Sequence, residues 1–151
     1  MKKALVTGGA GFIGSHMVDL LIKKKFQVIV LDNFVAGNKK NLFQHKRNKN
    51  LKIIKKDIKN VKKNDKNFKN LKYIFHFAGL GDIVPSIEKP KEYIMNNAIG
   101  TLNILEAARY NNVKKLVYAA SASCYGINNK KIDETAKISL EHPYALSKYM
   151  G

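Results

Sequence analysis

The chain has 151 residues, of which 45 % are apolar: one domain's worth of sequence, with enough apolar residues for a core and too many for a disordered chain. Twenty-eight basic residues against 11 acidic ones give a net charge of +17, which raises the question of nucleic acid. Only Arg47 and Arg109 are arginines, the lysines run from Lys2 to Lys148, and no aromatics interleave with them, so specific nucleic-acid binding is not expected.

The richest basic stretch, Lys39 to Lys72, is equally rich in asparagine, as an AT-rich coding sequence would make it. Cys124 is the only cysteine, which excludes a disulfide framework and a cysteine-based zinc site. His16, His45, His76 and His142 have no metal-ligand spacing, so no metal is expected. No apolar run reaches the roughly 18 residues of a membrane span. Ala4 to Thr7 is too short for a signal-peptide core, and the expected location is cytoplasmic.

In chain order, Lys3–Thr7 reads as a strand ending in glycines, and Phe12–Lys24 as a helix with apolar residues near helical spacing. Gln27–Leu31 is almost continuously apolar, as a strand buried on both faces should be. A short surface helix is expected over Gly37–Lys46, a third strand over Leu51–Ile54 and a fourth over Tyr73–Phe77. Asn60–Asn70, rich in Lys and Asn, is expected to be a mobile surface connection. A long helical region spans about Pro90–Tyr110, Leu116–Ala119 is a fifth strand, and a last helix begins near Pro143. Strands alternating with helices, without hairpin signals, predict an α/β fold: a Rossmann-type doubly wound parallel sheet. Because the chain ends at Gly151 inside that last helix, residues 1–151 are expected to be an incomplete NAD-binding domain, C-terminally truncated.

Gly8, Gly11 and Gly14 follow the first strand and open the first helix. Such glycines turn the chain tightly and let a pyrophosphate reach the backbone, and the helix then offers free N–H groups to the phosphates. Asp32 ends the next strand, eighteen residues after Gly14, where a carboxylate accepts both adenosine ribose hydroxyls and repels a 2′-phosphate. NAD is therefore the expected cofactor. Further on, Tyr144 and Lys148 stand at i and i+4 of the last helix, where an ammonium can favour the phenolate and turn tyrosine into a usable acid/base. Ser121 lies just past the fifth strand, at the edge where open α/β sheets bind ligands. A Ser/His/Asp arrangement of Ser121 with His142 lacks the sequence of a nucleophile elbow.

Thr7 to Gly14, Asp32-Asn33, Asp57-Ile58, His76-Phe77-Ala78-Gly79, Asn97 with Gly100-Thr101, Ser121 with Tyr125-Gly126, and Tyr144 with Lys148 occur in this order. The pattern resembles the extended short-chain dehydrogenase/reductase superfamily, most closely its nucleotide-sugar 4-epimerases of the UDP-glucose and UDP-N-acetylglucosamine type. The resemblance implies that Gly8, Gly11, Phe12, Ile13 and Gly14 hold the pyrophosphate. Asp32, Asn33 and Gly37 would line the adenosine ribose, and Asp57 and Ile58 would border the adenine. Phe77, Ala78 and Gly79 would line the cofactor cleft, with Asn97 supporting its wall. Ser121 would bond the sugar 4-hydroxyl, Tyr144 would be the acid/base, and Lys148 would bind the nicotinamide ribose and tune Tyr144. Such enzymes oxidise C4 of a nucleotide sugar to a ketone, turn the keto-sugar over and return the same hydride to its other face. The resemblance further implies a homodimer in the full-length form.

Two departures stand out. Gly81 occupies a place where UDP-glucose epimerases carry lysine, and the further strands and C-terminal substrate domain of the family have no counterpart here. Dehydratases of the family carry Asp-Glu directly after the fifth-strand serine or threonine, and decarboxylases keep the glutamate; here those places are Ala122 and Ser123. Epimerisation is the expected reaction. A dehydratase or decarboxylase, or a non-catalytic dinucleotide-binding module, are the alternatives. Measurable turnover is not expected of the 151 residues alone.

Overall fold

Five strands, β1 (Lys3–Thr7), β2 (Gln27–Asp32), β3 (Leu51–Lys55), β4 (Tyr73–His76) and β5 (Lys115–Tyr118), form one parallel sheet in the computed structural model, which describes residues 1–127 and 131–151. Their order is β3-β2-β1-β4-β5, all pairs parallel. The sheet is Rossmann-like, and its order reverses between β1 and β4, the place where such sheets bind ligands beyond the carboxyl ends of the strands.

Period-two alternation sorts the strand residues onto two buried faces. Leu5 lies in register with Ile29 and with Ile74. These three form one core layer with Phe68, Ile104 and Ala107. Val6, in register with Val30, forms the opposite layer with Ala4, Val18, Leu21, Val28 and Leu42. Helix α1 (Phe12–Lys23) covers the second layer through Gly14, Val18 and Leu21. Helix α4 (Gly100–Tyr110) covers the first through Thr101, Ile104, Ala107 and Ala108, a stripe at helical spacing. Burial on both faces is why β1 and β2 are apolar without alternation.

Several elements differ from the sequence reading. The segment expected as a helix over Gly37–Lys46 is a 3₁₀ turn over Lys39–His45, capped by Asn38, whose Oδ1 accepts the Lys40 N–H at 2.9 Å. It buries only Leu42, too little for the apolar stripe an α-helix needs. Asn60–Asn70 is held down at several points: Val61 and Phe68 are buried, and Asp65 caps the Lys66–Phe68 turn by accepting the Asn67 N–H at 2.9 Å. Two apolar anchors among many polar residues gave no periodic signal. The long helical region is three pieces, α3 (Pro90–Tyr93), a π-helical turn (Ile94–Ile99) and α4. Before it lies an unexpected helix, α2 (Ile83–Glu88), with Pro85 in its first turn and only Ser86 buried. The last helix, α5, is Pro143–Met150. Among the described residues no helix is long and apolar enough to cross a membrane.

Candidate functional site

The β1–α1 turn is a backbone construction. Gly8 has φ +65°, and a Cβ there would lie 2.7 Å from the Ala78 amide nitrogen, so the turn touches the loop after β4. A Cβ on Gly14 would fall onto the Gly8 carbonyl oxygen. Gly11 starts α1 without a side-chain cap, and the first turn holds no acidic residue. The amides of Phe12, Ile13 and Gly14 therefore meet no intrahelical acceptor and stand at the positive end of the helix. The Phe12 and Ile13 side chains are exposed, leaving their amides as what they offer an anion.

Asp32 is buried at the end of β2. Its Oδ2 accepts the Ala10 N–H at 2.9 Å and its Oδ1 the Phe34 N–H at 2.8 Å. Gly37 packs so closely that a Cβ would sit 2.8 Å from Oδ1. Each oxygen keeps a lone pair toward the cleft, and backbone donors on both sides fix the carboxylate. The Asn33 carboxamide donates to Asp57 Oδ2 at 3.1 Å, and Asp57 Oδ1 accepts the Lys59 N–H at 2.8 Å. From α4, Asn103 donates to the Lys59 carbonyl at 2.9 Å, and Gly100 lets the helix close onto Ile58. One cleft is lined by Gly8, Gly11, Asp32, Asn33 and Gly37 and faced by Asp57, Ile58, Phe77, Ala78 and Gly79.

The far wall is held by side chains. The Ala78 N–H donates to Thr7 Oγ1 at 3.2 Å, Thr7 Oγ1 lies 2.5 Å from His76 Nδ1, and His76 Nε2 lies 2.9 Å from Thr101 Oγ1. Thr101 donates its only hydroxyl proton to the Asn97 carbonyl, so its oxygen accepts from His76 Nε2–H, and Nδ1 accepts from Thr7. Burial, with Lys148 nearby, pushes the His76 pKa down to about 3; the imidazole is neutral and acts as a strut. Asn97, in the π-helical turn, accepts the Leu80 N–H at 2.8 Å and donates to the Leu80 carbonyl at 3.0 Å and to Ser147 Oγ at 2.9 Å. Its carboxamide is thus fully engaged in joining the Gly79–Leu80 loop to α5.

Ser121 starts a 3₁₀ turn over Ala122–Tyr125 and accepts the Ser123 N–H at 3.2 Å, leaving its own proton to donate. Cys124 in that turn is buried and directs its thiol at the Ala145 carbonyl, 3.6 Å away, tying the turn to α5. The N-terminus of α5 has two caps: His142 Nδ1 accepts the Ala145 N–H, and Ser86 Oγ accepts the Tyr144 N–H, both at 3.1 Å. With His142 and Ser121 each engaged on a backbone amide, the Ser/His/Asp arrangement has no support. The Tyr144 ring stacks on His142 at 5.9 Å and meets Tyr93 edge-on at 6.4 Å. Lys148 is buried near Gly79, where a Cβ would lie 3.8 Å from its Nζ, and burial lowers its pKa to about 8. Ser86, Asn103 and Tyr118 are supporting residues that the sequence reading missed. Nothing in their spacing marks them, although His142 before Pro143 is a recognisable helix start. Among the described residues no group of three His, Cys, Asp or Glu side chains could hold a metal.

An uncapped helix end behind a glycine turn, a fixed carboxylate on the next strand, and a parallel sheet of order 3-2-1-4-5 define a Rossmann-like protein. More specifically, the chain belongs to the NAD dependent epimerase/dehydratase family, whose family model matches residues 4–151. It is 38 % identical over 153 residues to UDP-glucose 4-epimerase of Haemophilus influenzae, covering 97 % of this chain and 45 % of that one. Among solved structures it is similar to UDP-N-acetylglucosamine 4-epimerase from Methanobrevibacter ruminantium, with TM-score 0.92 and 37 % identity over 98 % of this chain and 47 % of that one. It is similar also to dTDP-glucose 4,6-dehydratase from Streptomyces venezuelae, solved with NAD bound, with TM-score 0.91 and 31 % identity over 98 % of this chain and 48 % of that one. The chain spans about half the length of these relatives.

Proposed function

We propose that the chain is the NAD-binding portion of a cytoplasmic nucleotide-sugar 4-epimerase, homodimeric in its full-length form. The residues fit the cofactor: the α1 amides for the pyrophosphate, Asp32 for the adenosine ribose, and Lys148, whose ammonium has no hydrogen-bond partner among the described residues, for the nicotinamide ribose. NAD bound there supplies a reversible hydride acceptor. Tyr144 takes the proton of the sugar 4-hydroxyl and returns it, Lys148 favours the phenolate, and Ser121 donates a hydrogen bond to the 4-oxygen.

The observation that carries epimerisation over dehydration is the turn after Ser121. Ala122, Ser123, Cys124 and Tyr125 contain no carboxyl group, whereas elimination across C5 and C6 needs a further acid and base near the sugar. The S. venezuelae dehydratase has the same fold, so the products decide. Incubation of the full-length enzyme with UDP-glucose and with UDP-N-acetylglucosamine should yield the 4-epimer without net NADH. Tyr144→Phe should lower turnover by about 10²–10⁴-fold with NAD still bound. A stable 4-keto-6-deoxy sugar would establish the dehydratase instead. Calorimetric titration should show NAD binding more tightly than NADP, with the preference reduced in Asp32→Ala; tighter binding of NADP by the unmutated protein would overturn the cofactor assignment.

A further inference from the structure

Lys148 is a buried cation without a carboxylate partner; the titratable group that acts on it is the buried Cys124 thiol, which raises its pKa against the larger lowering by burial. Among the described residues no carboxylate forms a salt bridge with it, and no carbonyl or side chain accepts a hydrogen bond from its Nζ. What it does meet is the ring of Tyr118, the last residue of β5, with Nζ 4.3 Å from the ring centroid. That is inside the roughly 6 Å reach of a cation–π contact. The same tyrosine donates its hydroxyl to the backbone carbonyl of Lys148 at 3.2 Å. Burial pushes the Tyr118 phenol up to about 12, so it stays protonated and remains a donor. The His76 ring also stacks on Tyr118, with centroids 5.6 Å apart. Kept neutral by burial and by Lys148 itself, His76 adds no second cation beside Lys148.

We propose that Tyr118 is the positioning residue of Lys148: its ring seats the ammonium while its hydroxyl pins the backbone of the same residue to the sheet. The inference rests on the reading of Lys148 as the group that tunes Tyr144. It also explains why no carboxylate stands there. A carboxylate would hold Lys148 equally well but cancel its field, and with it the support for a phenolate on Tyr144. A ring face attracts the ammonium through a quadrupole whose field fades quickly with distance, so the positive charge remains effective toward the active site.

The test is the protonation midpoint of Lys148 in the full chain, read by mass spectrometry as the pH dependence of its labelling with trace acetic anhydride, peptide by peptide. No cofactor or substrate is added. In the unmodified protein the midpoint should lie near 8. Tyr118→Phe keeps the ring and should leave it within about 0.3 pH unit, whereas Tyr118→Leu should lower it by about one unit, a tenfold change in the protonation equilibrium. Pentafluorophenylalanine at position 118 keeps the ring's shape and reverses the potential of its face, so it should behave like leucine, and it decides the matter if the leucine variant does not fold. Equal midpoints in all these proteins would overturn the seat. A phenylalanine variant shifted as far as the leucine one would also overturn it, by assigning the effect to the hydroxyl. Should the midpoints behave as expected while the full-length enzyme converts no nucleotide sugar, the reading of the reaction fails and that of Tyr118 stands.

Discussion

The two walls of the cleft are made of different material. On the β1–β2 side the surface is backbone: the turn at Gly8, the uncapped amides of α1, and one carboxylate, Asp32, fixed by the Ala10 and Phe34 amides. On the β4–β5 side it is a set of side chains holding one another: Thr7, His76 and Thr101 in series, Asn97 clamping Leu80 to Ser147, and Tyr118 beneath Lys148. A backbone wall is set by steric rules, so it tolerates no added atoms. A side-chain wall is set by which groups are protonated, so it answers to pH.

The largest expected effect breaks the backbone wall. In Gly8→Val the residue must adopt φ +65° and its Cβ must displace the Ala78 backbone, which no side-chain rotation relieves. A stability loss of roughly 3 kcal/mol or more is expected, with NAD binding lost. Chemical denaturation and calorimetric titration check both. Retention of either at the wild-type level would mean that the turn is looser than its geometry.

Lys148→Met should move the other wall in the opposite direction. The lysine pKa is lowered from 10.5 to about 8 in the folded protein, so between those values the unfolded chain binds more protons and stability rises with pH. Below pH 8 the full cost of burying the cation is present. Methionine keeps the stem and removes the charge, so the variant should be roughly 2 kcal/mol more stable at pH 7, lack the rise between pH 8 and 10.5 and, in the full-length enzyme, have no turnover. A destabilised variant would show that the Tyr118 contact more than offsets the burial.

His76 should give an effect of similar size, reached only toward pH 5, in its own pH window. Its pKa falls from 6.5 to about 3 on folding, so below pH 6.5 the unfolded chain binds the extra proton and stability declines as the pH drops. The slope is about 1.4 kcal/mol per pH unit, near 2 kcal/mol by pH 5. His76→Asn costs stability at every pH but should flatten that slope in denaturation curves recorded from pH 7 to 5. An unchanged slope would place the acid sensitivity at another histidine.

This contrast also explains what was legible in the sequence. Gly8, Gly11 and Gly14 could be assigned positions in a turn, and Asp32 the end of the next strand, because steric necessity leaves a fixed spacing along the chain. Strands β1 and β2 could be read for a similar reason, since burial on both faces leaves continuous apolar runs. The side-chain wall joins residues far apart in the chain, such as Thr7 to His76 and Tyr118 to Lys148, and no local spacing records such pairs. His76 was readable only as a member of some local network, and Ser86 not at all, because α2, which carries it, buries a single residue. The Asn60–Asn70 segment shows the same limit: buried Val61 and Phe68 fix it, and two residues seven apart set no period.

The smallest expected effect lies at an exposed glycine beside the clamped Leu80. Gly81 follows the Leu80 clamped by Asn97, and a Cβ built there meets nothing within 4 Å. Its φ is not in the left-handed region, so neither space nor backbone requires glycine. Gly81→Ala should therefore change stability by less than about 0.5 kcal/mol, in contrast to the same kind of change at Gly8. Gly81→Lys introduces the residue that the resemblance to UDP-glucose epimerases implies at this place, and it too should leave the denaturation midpoint almost unmoved. Any change it makes in the affinity for a nucleotide sugar then reports added positive charge at the cleft rather than altered packing. Such a charge effect should weaken with rising salt, because an exposed ammonium is screened over about 8–10 Å at physiological ionic strength. A change that persists undiminished at high salt would mean that the new side chain reorders the Leu80 loop, and that the space around Gly81 is less open than its geometry.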